Sequence, residues 1–64
     1  MILYMKVGTM PGTMMQVLFK RKHPVEGDTF YIRDPAERYA KPIHVRCTEV
    51  RGLGDQKVWF AEQI

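Results

Sequence analysis

Apolar and polar residues alternate with a period of two along much of this chain, as they do in β-strands that bury one face. In Ile43–Cys47, for example, the apolar side chains fall on one side, while His44 and Arg46 fall on the other. Glycine, proline and aspartate, which favour turns, separate the apolar runs. The pattern predicts five strands, at Ile2–Val7, Met14–Arg21, Thr29–Arg33, Ile43–Val50 and Lys57–Ala61.

Short strands separated by turns at this spacing are typical of a small all-β barrel or sandwich. We therefore predict one mainly β domain over residues 1–64, a five-stranded antiparallel barrel of the SH3-like or OB-like kind. The order Asp34-Pro35-Ala36-Glu37 combines a good N-cap residue, a proline at the first helical position and a glutamate at the third. This capping-box arrangement predicts one short helical turn near residues 35–40.

The alternation also assigns an inner face to the last three strands. The residues expected to point inward are Phe30 and Ile32 on the third strand, Ile43, Val45 and Cys47 on the fourth, and Val58 and Phe60 on the fifth. Val50 falls in the wrong phase for its strand, which predicts a β-bulge near Glu49 or the end of the strand there.

Composition is that of a folded domain close to the lower size limit. The 64 residues are 45% hydrophobic and 27% charged, which is ordinary for a globular chain. A core of this size supplies only about 3–5 kcal/mol of net stability. Ten Lys and Arg against seven Asp and Glu give a net charge of +3. That charge favours an anionic partner, although a solvated surface with no such partner fits it equally well.

The lone cysteine and the opening residues bear on the cellular setting. Cys47 has no second cysteine to pair with, so no disulfide forms within the chain. The stretch MILYMKV lacks a basic region before its apolar residues, and no small-residue cleavage site follows it. The longest apolar run is too short to span a bilayer. We therefore expect a cytoplasmic protein without a membrane partner.

Several kinds of enzyme are disfavoured. The chain has no serine, which excludes a Ser-His-Asp arrangement. Cys47 and His44 lie three residues apart on one strand, so their side chains point to opposite faces. Two histidines and one cysteine do not make a structural zinc site, and Gly52–Asp55 lacks the Lys-Ser/Thr of a phosphate-binding loop. We expect no enzymatic activity, no catalytic residues, no metal and no cofactor.

The residues predicted to face outward on the last three strands combine aromatic rings with cations. On an exposed sheet, rings and guanidinium planes stack on bases, while Lys and Arg neutralise phosphates. The sequence therefore favours nucleic acid as the ligand, with Tyr31 and Trp59 as the stacking residues. The predicted binding residues are Tyr31, Arg33, His44, Arg46, Lys57 and Trp59, with Lys20, Arg21 and Lys22 extending the footprint.

Other interpretations fit the same residues. Tyr, Trp and Arg are also enriched at the hot spots of protein interfaces. The alternative function is therefore a protein–protein adaptor or inhibitor, of the kind that phages and mobile elements encode, which binds a larger protein through the same face. Simple packing of Trp59 beneath a loop is a third interpretation. Both faces of Met14–Phe19 are apolar, which fits a homodimer formed through this strand.

Overall fold

Five strands make up nearly all the regular structure of this computed structural model, which describes residues 1–37 and 39–64. They are β1 (Ile2–Val7), β2 (Thr13–Leu18), β3 (Thr29–Arg33), β4 (Ile43–Arg51) and β5 (Val58–Gln63). A single 3₁₀ turn, Gly54–Gln56, separates β4 from β5 in the described part of the chain. The prediction of a mainly β fold is confirmed, and the predicted bounds of β1 and β3 match the structure.

The sheet closes on itself in the order of the sequence, with each strand beside its neighbours in the chain. The pairs β1–β2, β2–β3, β3–β4 and β4–β5 are antiparallel, as predicted. The closing pair, β1–β5, is parallel and joins Met5 to Trp59 and Val7 to Ala61. Strand direction alternates along the chain, so a first and a fifth strand run the same way and pair in parallel.

One hydrophobic cluster fills the inside of the closed sheet. Its buried members are Leu3, Met5, Val17, Phe30, Ile32, Val45, Cys47, Trp59 and Ala61. The inward orientation predicted for Phe30, Ile32, Val45 and Cys47 is confirmed. Ile43 is different, because it begins β4 at the end of the sheet and keeps 38% of its surface exposed.

The inward face predicted for β5 is wrong. Trp59 and Ala61 are buried, whereas Val58 and Phe60 are only half-buried. Opposite them on β4, Cys47 pairs with Ala61 and Glu49 pairs with Phe60, so Thr48 is an extra residue. This register shift confirms the predicted bulge. Burial of the indole is favoured because Trp59 is the largest apolar side chain and its N–H has a partner inside the fold.

The short helix predicted near residues 35–40 is also wrong for the described residues of that segment, which form turns. Arg38 lies outside the described residues. The Asp34 carboxylate accepts a hydrogen bond from the Ala36 N–H at 2.8 Å, an Asx turn rather than a helix cap. Pro42 limits the segment to a few residues, too few to offset the free-energy cost of nucleating a helix.

The chain between β2 and β3 positions the candidate site. β2 ends at Leu18, three residues earlier than predicted, so Lys20, Arg21 and Lys22 lie in an exposed connection. Further on, the Gly27 N–H donates to the carbonyl oxygen of Cys47, and the Cys47 N–H donates to that of Asp28, both at 2.8 Å. These two bonds fix the start of β3 against β4. The basic connection is therefore held beside the outer surface of β3 and β4.

Candidate functional site

A stacked pair of rings, Tyr31 and His44, lies on the outer surface of the sheet. The two residues are directly opposite each other on β3 and β4. Their ring centroids are 4.5 Å apart, and the ring planes differ by 14°. Tyr31 keeps 48% of its surface exposed, and His44 is half-buried. The stack therefore presents a preformed aromatic surface to solvent, with one face of each ring already occupied by the other.

A groove of about 560 Å³ runs beside this stack, and we call it the Tyr31 groove. It lies between the end of β2 with its basic connection and the start of β3. Phe19 and Phe30 form part of its lining and pack edge to face, with ring centroids 5.8 Å apart. The lining residues are Leu18, Phe19, Lys20, Arg21, Gly27, Asp28, Thr29, Phe30, Tyr31 and His44. Four of the nine predicted binding residues thus meet at one place.

The charge of the Tyr31 groove comes from two cations and one carboxylate. Within residues 1–37 and 39–64, salt bridges join Arg46 to Glu62 and Arg51 to Glu49. In that part of the chain Lys20 and Arg21 therefore have no salt-bridge partner. The carboxylate of Asp28 already accepts a hydrogen bond from the Val25 N–H at 2.9 Å. The groove is basic on balance, and its cations are available to an anionic ligand.

Two predicted arginines lie on the same outer surface but outside the lining of the groove. The Arg33 Nε–H donates to the side-chain oxygen of Gln16 at 2.9 Å, which holds this guanidinium over β2. The guanidinium of Arg46 lies 3.4 Å from the carboxylate of Glu62 on β5. Both side chains of that second pair are about half exposed, so solvent screens the interaction and it contributes little to stability.

The structure separates Trp59 and Lys57 from the stacked rings. Trp59 is only 5% exposed, its Nε1–H donates to the carbonyl oxygen of Pro24 at 2.9 Å, and His23 packs edge-on against it. The prediction that Trp59 is an exposed stacking residue is therefore wrong. Lys57 precedes β5, whereas His44 lies beside its far end, roughly 20 Å along the strand.

The other six lining residues of the groove are not among the predicted binding residues. In the sequence, Leu18 belongs to a strand whose two faces are both apolar, so nothing marks it as a surface residue. In the structure it lies directly opposite Tyr31 and keeps 42% of its surface exposed. Leu18 could be placed beside Tyr31 only if the register of β2 with β3 were known. The sequence does not specify that register, because both faces of β2 are apolar.

The buried thiol of Cys47 lies apart from this surface, in the core. Burial raises the pKa of the thiol, the backbone of Glu49 partly offsets this rise, and the carboxylates of Asp28 and Glu26 add to it. Its sulfur lies 3.8 Å from the carbonyl oxygen of Glu49. His44 faces outward from the same strand, so no thiol–imidazole pair forms between them. In the described part of the chain, no three His, Cys, Asp or Glu side chains are grouped so that they could hold a metal.

Fold and site together define a small, closed β-sheet module with an exposed aromatic and basic groove. Comparison of the chain with protein-family models, with curated proteins and with solved structures found no match. Among residues 1–37 and 39–64, no helix is long and apolar enough to cross a membrane.

Proposed function

We propose that this protein is a non-enzymatic module that binds single-stranded nucleic acid in the Tyr31 groove. The observation that carries the proposal is the meeting of the Tyr31–His44 stack with Lys20 and Arg21 in one groove. A base has an aromatic surface to pack against, and the adjacent phosphates have two cations without salt-bridge partners in the described part of the chain. Stacking on these rings requires an unpaired strand, because the faces of the bases in a duplex are covered by their neighbours in the stack.

The proposed footprint is smaller than the one predicted from the sequence. Tyr31 and His44 contact the base, Lys20 and Arg21 contact phosphate, and Lys22 adds charge next to them. Arg33 lies two residues beyond Tyr31 on β3, on the same face, and extends the surface toward Gln16. Arg46 contributes less because Glu62 offsets its charge. Lys57 and Trp59 have no part in this footprint.

We further propose that the closed sheet is an SH3-like barrel rather than an OB-like one. Support comes from the strand order, in which every strand pairs with its sequence neighbours. The OB-fold is instead a Greek-key barrel, in which strands distant in the sequence are adjacent. A cytoplasmic setting is also proposed, since a single free thiol suits a reducing compartment.

A protein partner is the second candidate for the same surface. It is favoured by Leu18, which is exposed beside Tyr31 and offers a base no hydrogen bond. Tyrosine and arginine are enriched at the hot spots of protein interfaces, and Leu18 adds apolar area beside Tyr31 and Arg21. Such a contact would depend mainly on buried apolar area and therefore only weakly on salt.

The test measures binding of a fluorescently labelled, short, mixed-sequence single strand by anisotropy at low and at physiological salt. Tyr31→Ala should weaken binding roughly 5- to 150-fold, the loss expected for one base–aromatic stack. The matched control is Tyr39→Ala, because Tyr39 is 96% exposed and lies outside the groove lining. Lys20→Ala should lower the slope of log affinity against log salt by about one, whereas Lys41→Ala outside the groove should not.

Two results would count against nucleic acid as the ligand. One is absence of binding at low salt. The other is equal weakening by Tyr31→Ala and Tyr39→Ala, which would mean that the stack is not the contact. Salt-independent capture of a protein that Tyr31→Ala abolishes would instead support the second candidate.

A further inference from the structure

A second recess lies away from the Tyr31 groove and shares no lining residue with it. It has a volume of about 350 Å³ and lies where β1 passes the 3₁₀ turn before β5, and we call it the β1 recess. Ile2, Tyr4 and Met14 contribute apolar side chains to its lining and are 52%, 42% and 49% exposed. Tyr4 and Met14 are direct cross-strand neighbours, so the apolar surface is continuous from β1 to β2.

An exposed leucine lies next to this recess. Leu53, at the turn between β4 and β5, is 87% exposed, and the two residues that follow it, Gly54 and Asp55, line the recess. Leu53 itself is not part of the lining. A protruding apolar side chain and an apolar recess therefore lie side by side on one surface.

We propose that this surface pairs two copies of the chain about a two-fold axis, with Leu53 of each copy in the β1 recess of the other. A two-fold interface requires that a surface be complementary to itself, so that residue i contacts residue j and j contacts i. A protrusion and a recess on the same surface meet that requirement.

The charges at the rim of the recess fit the same arrangement. Asp55 and Lys57 both border it. In the described part of the chain they form a salt bridge neither with each other nor with another residue. In the proposed dimer, Asp55 of one copy faces Lys57 of the other, and the two-fold axis repeats this pair so that it occurs twice. A surface that pairs opposite charges with itself favours a second copy over an unrelated partner.

The exposed area suits a weak dimer. Ile2, Tyr4, Met14 and Leu53 together expose on the order of 400 Å² of apolar surface, comparable with the largest such patch on a typical monomer. A standard interface takes roughly 800 Å² from each partner. That is about a sixth of the 4887 Å² surface of this chain. The apolar centre is therefore about half of one partner's share of a standard interface, which fits a weak dimer with a polar rim that includes Asp55 and Lys57.

The first experiment is sedimentation of the full chain between micromolar and near-millimolar concentrations. The expected result is a monomer–dimer equilibrium with no larger species. Leu53→Asp should raise the dissociation constant roughly 10²- to 10⁴-fold, because two buried leucines are lost per dimer. The matched control is Tyr39→Asp, which replaces an exposed hydrophobic residue between β3 and β4, outside the lining of the recess, and should leave the constant unchanged.

The second experiment mixes two complementary charge variants, each of which is first shown to be folded by circular dichroism. Asp55→Lys alone and Lys57→Asp alone should each weaken self-association, because like charges then face each other. A mixture of the two variants should form a heterodimer that is tighter than either homodimer. No gain on mixing would overturn the two-fold pairing of Asp55 with Lys57. A monomer at every concentration, or species that grow beyond a dimer, would overturn the proposed dimer itself.

Discussion

The buried indole of Trp59 should hold the fold together rather than bind a ligand, and Trp59→Phe tests this. The substitution keeps an aromatic ring but removes the Nε1–H that donates to the Pro24 carbonyl oxygen at 2.9 Å. Pro24 is itself buried, so its carbonyl loses its partner away from water, which costs about 1–3 kcal/mol. The smaller ring also buries less area. We expect a total loss of about 2–3 kcal/mol, against a whole-domain stability of only about 3–5 kcal/mol.

Urea unfolding followed by far-ultraviolet circular dichroism measures this loss without relying on tryptophan fluorescence. With a slope of about 1 kcal/mol per molar urea for so small a chain, the midpoint should fall by about 2 M or more. Trp59→Ala, which costs about 3–5 kcal/mol, should leave the chain largely unfolded without urea. Tyr39→Phe is the control, because Tyr39 is exposed and its substitution should change stability by less than about 0.5 kcal/mol. A Trp59→Phe midpoint equal to that of Tyr39→Phe would refute the reasoning.

Two further predictions concern single residues. Burial raises the pKa of the Cys47 thiol above its ordinary value of 9.0, so the folded state holds this proton more tightly than the unfolded chain does. This contribution to stability is complete below about pH 9 and is lost as pH rises through the higher folded pKa. Above about pH 9, the free energy of unfolding should therefore fall more steeply in the parent than in Cys47→Ala. Parallel curves of unfolding free energy against pH would contradict this. Gly52 has a φ of +92°, and a Cβ there would overlap the backbone carbonyl of Gln56, whereas Gly27 has a φ of +96° and open space around it. Gly52→Ala should therefore cost about 1–2 kcal/mol more than Gly27→Ala in thermal unfolding, and equal losses would show that the overlap is relieved freely.

The sequence predicted β1 and β3 with their observed bounds because their apolar and polar residues alternate, and it failed where a strand is apolar on both faces. Val58, Trp59, Phe60 and Ala61 are all apolar, so alternation does not say which two point inward. The choice depends on a hydrogen bond between Trp59 and Pro24, 35 residues earlier in the chain. A contact that distant in the sequence leaves no periodic signal.

The candidate site was predictable only in part, for a related reason. Tyr31 and His44 were assigned correctly to one outer surface, because both strands have a clear inner face and are neighbours in the sheet. Lys20 and Arg21 lie beside these rings because the chain between β2 and β3 is attached to β4. Two backbone hydrogen bonds, from Gly27 to Cys47 and from Cys47 to Asp28, make this attachment. Backbone bonds of this kind are not specified by the identity of the side chains.

The parallel closure of the sheet determines how the protein would respond to mechanical force. Residues Met5–Val7 of β1 pair with Trp59–Ala61 of β5, and the two strands run in the same direction. Tension applied at the two ends of the chain therefore pulls β1 toward its start and β5 toward its end, so that the strands slide past each other lengthwise. In this shearing geometry the hydrogen bonds of the pair share the load, instead of opening one at a time as they would in a hairpin pulled from its open end. The three-residue closure is thus a mechanical clamp, and the rest of the sheet is shielded from tension until it yields.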